Sequence, residues 1–314
     1  MIGDTDHLSD ETSRPDDLPE SSPDSQASPA SAILRASPRQ DRRLRRGVFL
    51  PPFNELAEPR RLIAIAQLAE DRGWDGLFLW DHVLRRPEQA AEVADPWVAL
   101  SGIACATSRL RIGTMVTPLV RRRPQVLARQ VVSLDHLSGG RLTLGLGLGV
   151  DTSGELSRFG ELTEPVARGD LLDEGAALLA ALMSGEQVQH RGNYFVADGV
   201  RFLPRPVQLP RVPMWFGARG TPSNGRAVRR AARYDGLFLI DAELDDLARA
   251  VATIVAERGT LEGFDVAVLD APEMPLGEAA SLGATWAMLA IRPGVRASQV
   301  EVMVASGPQE GRSA

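Results

Sequence analysis

Lysine is absent from this chain of 314 residues, and all 35 of its basic side chains are arginines. Without lysine the protein can form no Schiff base with a carbonyl substrate, and it lacks the phosphate-binding lysine of a P-loop. Cysteine is nearly absent too, since Cys105 is the only one. A lone cysteine excludes an intramolecular disulfide framework and is typical of a reducing compartment, so we expect a cytoplasmic protein.

Long apolar stretches and an excess of positive charge are also missing. No apolar run approaches the roughly 18–20 residues that a membrane-spanning helix requires. The formal net charge is −6 and the isoelectric point is about 5.4, which argues against a general nucleic-acid surface. We therefore expect neither a membrane nor a nucleic acid among the partners.

The first 42 residues contain few large apolar side chains and are rich in Ser, Pro and Asp. Such a segment cannot bury enough surface to offset its ordering entropy, so we predict a disordered tail over residues 1–42. The arginine cluster at 42–46 is not followed by the roughly 7–15-residue apolar segment of an export signal. We predict one folded domain over residues 43–305 and a frayed end over residues 306–314.

Beyond the tail, short apolar segments bounded by Gly, Pro or Asp alternate with segments of helical periodicity. In the first helical segment, apolar residues recur at i, i+3, i+4 and i+7, namely Leu62, Ile65, Ala66 and Ala69. Repeated strand–helix units indicate right-handed crossovers and a parallel sheet. The eight strand segments predict an α/β fold, a closed (β/α)8 TIM barrel with an insertion after the fourth strand. An insertion at that point would lie above the barrel mouth and could act as a lid or as a wall of the substrate pocket.

One strand segment ends in two titratable side chains. Residues Leu77–Trp80 form an unbroken apolar run, typical of a strand buried on both faces, and Asp81 and His82 follow directly. Because parallel α/β folds keep their active sites at the carboxyl ends of strands, we predict that both are catalytic. Histidine titrates near neutral pH, and Asp81 could orient the ring or hold it charged. The alternative is a hydrogen-bonded pair with a structural role.

A second candidate site follows the fifth strand of the predicted barrel, in the segment Gly217-Ala218-Arg219-Gly220-Thr221. Glycines permit backbone conformations in which amides converge on an anion, and the helix that follows offers its positive N-terminal end. Arg219 could add a charge-assisted contact. The segment alone is equally compatible with a phosphate site and with a plain strand-to-helix turn.

Several short motifs, taken in their order and spacing, resemble those of the bacterial luciferase-like flavin- and deazaflavin-dependent oxidoreductases. The first is Gly73-Trp-Asp-Gly-Leu-Phe-Leu-Trp-Asp81-His82, and the resemblance extends over about residues 46–295. The other motifs are Ala106–Thr114, Arg123-Pro124, Leu134–Arg141, Leu144–Gly147, Phe159-Gly160, Pro213–Gly217 and Asp235-Gly236.

The resemblance implies a cofactor, FMN or coenzyme F420, at the mouth of the barrel. The reduced cofactor would either activate oxygen or pass a hydride to a small organic substrate. In F420-type members an acid–histidine pair lies against the cofactor ring and the substrate, and Asp81 and His82 match that pair. The loop that binds the cofactor phosphate through backbone amides matches Gly217–Thr221.

The resemblance also implies that the third and fourth strands contact the cofactor ring. The family has a bulge under the ring, often with a non-proline cis peptide, which matches Met115-Val116, with Thr114 just before it. The glycines of the fourth strand lack the spacing of a dinucleotide-binding motif, so we interpret Gly147 and Gly149 as permitting close approach of a flat ring.

The motifs are compatible with more than one reaction and more than one class of protein. F420-dependent sugar dehydrogenases carry a proton-donating Glu just after the fourth strand, where this chain has Val150 beside Asp151. The resemblance further implies a homodimer and a flavin reductase that supplies reduced cofactor. Oxygen activation and hydride transfer are both compatible with the motifs. Two other classes are a non-catalytic flavin-binding barrel and a barrel enzyme that binds a phosphorylated ligand without flavin.

Overall fold

The computed structural model describes residues 43–85, 88, 91–220 and 225–308. The predicted N-terminal tail, residues 1–42, lies outside this part of the chain. So does most of the predicted frayed end, since only residues 306–308 of it are described. Within the described residues, no helix is both long enough and apolar enough to cross a membrane.

Eight parallel strands close into a barrel, and two further strands form a separate antiparallel pair. The strands are β1 (Arg45–Leu50), β2 (Gly76–Leu79), β3 (Arg111–Pro118), β4 (Leu142–Gly147), β5 (Gln187–Arg191), β6 (Val196–Arg201), β7 (Met214–Arg219), β8 (Gly236–Ile240), β9 (Asp265–Leu269) and β10 (Trp286–Ala290). The barrel order is β1-β10-β9-β8-β7-β4-β3-β2, and the predicted (β/α)8 fold is confirmed.

The first four helices begin at a proline, and a capping acid precedes three of them. Asp95 accepts the amides of Trp97 and Val98, and Glu58 accepts the amide of Arg61, which satisfies free N–H groups of the first turn. The predicted face of the first helix is buried as expected. The helices are α1 (Pro59–Asp71), α2 (Pro96–Ala106), α3 (Pro124–Ser138), α4 (Pro165–Met183), α5 (Gly225–Ala232), α6 (Leu244–Arg258), α7 (Leu276–Ser281) and α8 (Ala297–Ala305).

Large apolar side chains fill the barrel interior, so the barrel is a packed core. Above them, at the carboxyl ends of the strands, lies a layer of partly buried apolar side chains that packs on this core. We call this end of the barrel the mouth and this layer the floor. The core consists of Phe49, Phe78, Met115, Trp215, Phe238, Ala267, Trp286 and Met288, and the floor of Trp80, Val116, Ile240, Leu269 and Ala290.

The later part of the insertion after β4 does not lie over the mouth. Its hairpin, β5 and β6, follows the C-terminal end of α4, and the chain then returns along α3, where His136 Nε2 lies 2.7 Å from the carbonyl oxygen of Arg205. Gln208 Nε2 donates to the carbonyl of Leu142 (2.7 Å), the first residue of β4. That residue is at the end of the barrel opposite the mouth. The expectation of a lid is therefore wrong for this later part of the insertion.

Candidate active site

His82 is held at the mouth by a carboxylate from the start of the insertion. Its Nδ1 atom lies 2.6 Å from Oε2 of Glu155, and the two side chains are only 16% and 3% exposed. The other carboxylate oxygen, Oε1, accepts the backbone amides of Val83 (2.7 Å) and Leu84 (3.2 Å). Glu155 thus fixes both the imidazole ring and the backbone just after it.

The environment of Glu155 keeps it ionised at neutral pH. Burial by itself raises the pKa of this carboxyl group, but the hydrogen bond and charge of His82, the amide of Val83 and the positive charge of Arg121 together outweigh it. The net effect lowers the pKa below its ordinary value. An ionised carboxylate only accepts hydrogen bonds, so Nδ1 of His82 carries a proton and donates it to Glu155.

A turn just after β4 brings Glu155 to this position. The carboxylate of Asp151 accepts the amides of Leu156 (2.8 Å) and Ser157 (3.1 Å), which closes the turn around Glu155. Val150, the position where the sequence departs from sugar dehydrogenases, is exposed. Sequence reasoning missed Glu155, because a single acid in an irregular segment carries no periodic signal.

Aromatic rings surround the imidazole on the barrel side. The Phe53 ring meets it edge-on at 5.5 Å between centroids, and the Trp80 ring lies 5.8 Å away. Trp80 in turn stacks on Phe49 at 5.3 Å, which anchors it to the core. Among the described residues, Nε2 of His82 has no hydrogen-bond partner, so this atom is free to meet a ligand.

Asp81 follows the same strand but lies in a different environment. Its side chain is 0% exposed and accepts from Thr117 Oγ1 (2.8 Å), Trp97 Nε1 (3.2 Å) and Arg122 Nη2 (2.8 Å). Arg121 also donates to the backbone carbonyl of Asp81 at 2.7 Å. These donors lie on α2, at the end of β3 and in the turn after it, so the structure does not bring the carboxylate of Asp81 together with the ring of His82.

The predicted bulge of β3 is present. The register between β3 and β4 shifts between Thr114 and Thr117, and the Met115–Val116 peptide bond is cis, as the resemblance implies. Val116 belongs to the floor, whereas Met115 lies in the core below it. Thr114 is fully buried, and its hydroxyl contacts Thr117 and the carbonyl of Gly145. Thr114 therefore supports the bulge from behind.

The glycines of β4 and β7 make room for protein atoms. A Cβ atom on Gly147 would lie 2.4 Å from Cγ2 of Val116, and one on Gly217 would lie 3.1 Å from Cγ1 of the same residue. Gly149 has a positive φ of 72°, and its Cβ would approach Pro118 to 2.8 Å. Gly147 and Gly217 thus let Val116 occupy its place in the floor. The contact of Gly147 and Gly149 with a cofactor ring stays a prediction.

The predicted phosphate loop begins inside β7. Gly217, Ala218 and Arg219 are the last residues of that strand and pair with β8. Arg219 forms a 2.5 Å ion pair with Asp241 at the end of β8, and both side chains are 60% exposed. A phosphate near Arg219 would compete with Asp241 for the guanidinium group.

The rest of this segment is only partly described. The amide of Gly220 donates to the carbonyl of Ile240 (2.9 Å), and its φ is not in the left-handed region. Glycine is required here because a Cβ would lie 2.4 Å from Ala242 and 2.6 Å from the Asp241 carbonyl. The amide of Gly220 is thus engaged with β8, and the role of Gly220 in cofactor binding stays a prediction. Thr221 lies outside the described residues, and the phosphate assignment stays a prediction.

The floor and His82 fit the ring of FMN or F420. A flat heteroaromatic ring binds on an apolar platform, and a few polar groups at the edge of the ring fix its orientation. The floor provides such a platform at the carboxyl ends of the strands, and His82 and the backbone of the bulge provide polar groups beside it. The described residues therefore suit the ring.

The family model for luciferase-like monooxygenases matches residues 44–271. This chain therefore belongs to the luciferase-like monooxygenase family, and the predicted class of flavin- or F420-dependent oxidoreductases is confirmed.

Two curated relatives illustrate the similarity. An uncharacterised protein of Mycobacterium tuberculosis is 31% identical over 242 residues, which cover 71% of this chain and 84% of that protein. An F420-dependent glucose-6-phosphate dehydrogenase of Beutenbergia cavernae is 37% identical over 188 residues. That match covers 58% of this chain and 52% of the relative, so the chain spans about half of the dehydrogenase.

Solved structures share the fold at lower identity. An F420-dependent secondary alcohol dehydrogenase, in complex with an F420–acetone adduct, superposes with a TM-score of 0.64 at 23% identity over 72% of this chain and 68% of that one. The oxygenating constituent of 3,6-diketocamphane monooxygenase of Pseudomonas putida, in complex with FMN, superposes with a TM-score of 0.57 at 17% identity. That superposition covers 72% of this chain and 66% of the other, and such likeness establishes the fold.

Proposed function

We propose that this protein binds F420 or FMN with the ring on the floor, and that His82 exchanges a proton with a small organic substrate there. The observation that carries the proposal is the 2.6 Å contact between His82 Nδ1 and the ionised Glu155. The hydrogen bond to Glu155 keeps the ring proton of neutral His82 on Nδ1. Nε2 of His82 is then unprotonated and faces the mouth. Such a nitrogen can accept a proton from a hydroxyl group, and the imidazolium form can return it.

The bound cofactor would supply the two-electron chemistry, as a hydride acceptor or donor or through reaction with oxygen. The protein would supply position, exclusion of water and the proton. The floor excludes water because its side chains pack directly on the core. An imidazole between a carboxylate and an apolar platform can therefore act on the oxygen atom of an alcohol or a ketone.

F420 is the cofactor we favour, because a curated relative at 37% identity is an F420-dependent dehydrogenase. FMN remains the second candidate, since the FMN-bound monooxygenase shares the fold. We also retain three proposals from the sequence: a homodimer, a cytoplasmic location and, for an FMN monooxygenase, a flavin reductase as partner.

The first test is the absorption spectrum of the protein after addition of F420 or FMN and removal of free cofactor. Retained F420 or FMN supports the proposal, and retention of neither favours the barrel without flavin. Turnover of secondary alcohols with F420, or of ketones with reduced FMN and oxygen, then separates an enzyme from a non-catalytic flavin-binding protein.

The second test replaces His82 by alanine. Loss of a positioned acid–base group lowers turnover by roughly 10²- to 10⁴-fold, and cofactor retention should persist. His136→Ala is the control, because that side chain is exposed on α3 and contacts the carbonyl of Arg205. Equal turnover in the His82 variant and the control would give His82 a structural role.

A further inference from the structure

A chain of hydrogen bonds spans the bulge of β3. The hydroxyl oxygens of Thr114 and Thr117 are 2.9 Å apart, and that of Thr117 is 2.8 Å from Oδ2 of Asp81. Arg122 donates to both carboxylate oxygens of Asp81, at 3.1 and 2.8 Å. A carboxylate bound by a guanidinium group is an acceptor, so Thr117 donates its only hydroxyl proton to Asp81. The hydroxyl of Thr114, in turn, can donate to Thr117.

The two threonines enclose the residues that form the bulge. Thr114 pairs with Leu144 and Thr117 with Leu146, so β3 advances by three residues where β4 advances by two. The extra residue turns Val116 into the mouth, where it joins the floor. The shape of the floor at this point is therefore set by how the bulge is held.

Asp81 can act on a ligand only through these neighbours. Its side chain is 0% exposed, and its oxygens are already bound by Thr117, Trp97 and Arg122. The donors come from the end of β3, from α2 and from the turn after β3. The carboxylate thus ties the carboxyl end of β2 to the bulge of β3.

We infer that Asp81 and Thr117 are positioning residues that hold the bulge so that Val116 supports the cofactor ring, an inference that rests on the proposed function. Asp81 is then not a catalytic residue, although it adjoins His82 in the sequence. A change in the Asp81–Thr117 link would alter the surface under the ring and leave the His82–Glu155 pair in place.

The sharpest test is Thr117→Val, which keeps the side-chain volume and removes the link between Thr114 and Asp81. Thr143→Val is the matched control, because Thr143 is also fully buried and its hydroxyl accepts from Arg111 (2.5 Å) near the start of β4. Thr117→Val loses two buried hydrogen bonds and Thr143→Val loses one, but only Thr117 lies at the bulge. Asp81→Asn provides a second variant at the same link.

The readout is the dissociation constant from fluorescence titration. The probes are FMN and F420, each paired with a form that lacks the phosphate group, namely riboflavin or the tail-less deazaflavin. We expect Thr117→Val to weaken binding roughly tenfold, the effect of about one hydrogen bond. The dissociation constant should rise by the same factor for ligands with and without the phosphate, because the substitution alters the surface under the ring. Asp81→Asn should act in the same direction, and Thr143→Val should leave the constant unchanged.

Two results overturn the inference alone. One is unchanged affinity in both Thr117→Val and Asp81→Asn, and the other is equal weakening in Thr143→Val, which would show a general loss of stability. If the wild-type protein binds neither F420 nor FMN, the proposed function fails and the inference fails with it.

Discussion

Replacing Glu155 by glutamine tests how the protein sets the protonation of His82. The glutamine carbonyl must stay where Oε1 is now, because the amides of Val83 and Leu84 are donors that need an acceptor. Its NH₂ group then occupies the place of Oε2 and faces Nδ1 of His82, 2.6 Å away in the wild-type protein. Two donors cannot share that contact, so the ring must move its proton from Nδ1 to Nε2.

The expected effect on catalysis follows from this reversal. If Nε2 accepts a proton from the substrate, the variant presents an N–H group instead, and kcat/KM should fall by roughly 10²- to 10⁴-fold. If His82 acts only as a proton donor, the loss should be much smaller. The replacement of a charged acceptor by a neutral one should also lower the free energy of unfolding by about 1–2 kcal/mol. Cofactor affinity should change little, since the floor is untouched.

The assay combines kinetics with ¹⁵N NMR of the imidazole nitrogens. The chain has only four histidines, so the signals of His82 can be assigned by comparison with His82→Ala. Glu174→Gln is the matched control, because Glu174 on α4 contacts His190 Nε2 (3.1 Å) and accepts loop amides in the same manner. An unchanged tautomer of His82, or equal losses of activity in both variants, would refute the reasoning.

The same variant should change the dependence of stability on pH. Burial raises the pKa of Glu155, but His82 and the neighbouring donors favour the ionised form more strongly. The pKa therefore lies below its ordinary value of 4.5. A carboxyl group with a lowered folded pKa stabilises the protein above its unfolded pKa, and this contribution is lost as the pH falls through the folded pKa. The difference in unfolding free energy between wild type and Glu155→Gln should therefore shrink below pH 4.5. Urea unfolding at neutral and acidic pH measures it.

Two other changes probe the floor and the predicted phosphate loop. Gly147→Ala should weaken cofactor binding in a titration, because the new Cβ would lie 2.4 Å from Val116 and push the Val116 side chain into the mouth. Gly277→Ala is the control, because a Cβ at that position meets no atom within 4 Å. Arg219→Ala should leave the melting temperature unchanged, because its ion pair with Asp241 is largely exposed. If the loop holds the phosphate, the Arg219 variant should bind FMN less well and riboflavin as before, whereas equal effects on both ligands would contradict the phosphate assignment.

The barrel itself could be predicted from the sequence because its signals are local. Short apolar runs identify strands, helical periodicity identifies the intervening helices, and their alternation implies a parallel sheet. Two short helices escaped this reasoning, α7 (Leu276–Ser281) and α8 (Ala297–Ala305). The first has only six residues, and the second buries only Ala297, Val300 and Val304. Such segments carry too few periodic positions to stand out.

The site was harder, because its contacts join distant parts of the chain. His82 and Glu155 are 73 residues apart in sequence, and neither strand pattern nor helix pattern links them. The motif resemblance supplied the bulge at Met115-Val116, including its cis peptide bond. It did not show that the glycine at position 147 admits the side chain of Val116, since such packing depends on how two strands approach each other.

The pairing of Asp81 with His82, however, conflicts with a signal that the sequence does contain. Successive side chains of a strand point to opposite faces, so residues that share a face are two apart. Phe78 lies in the core and Trp80 in the floor, which continues that face to His82 at the mouth. Asp81 must then face the helices, where Trp97 and Arg122 bind it. A partner for His82 had to come from another segment, and a carboxylate in the turn after β4 meets that requirement.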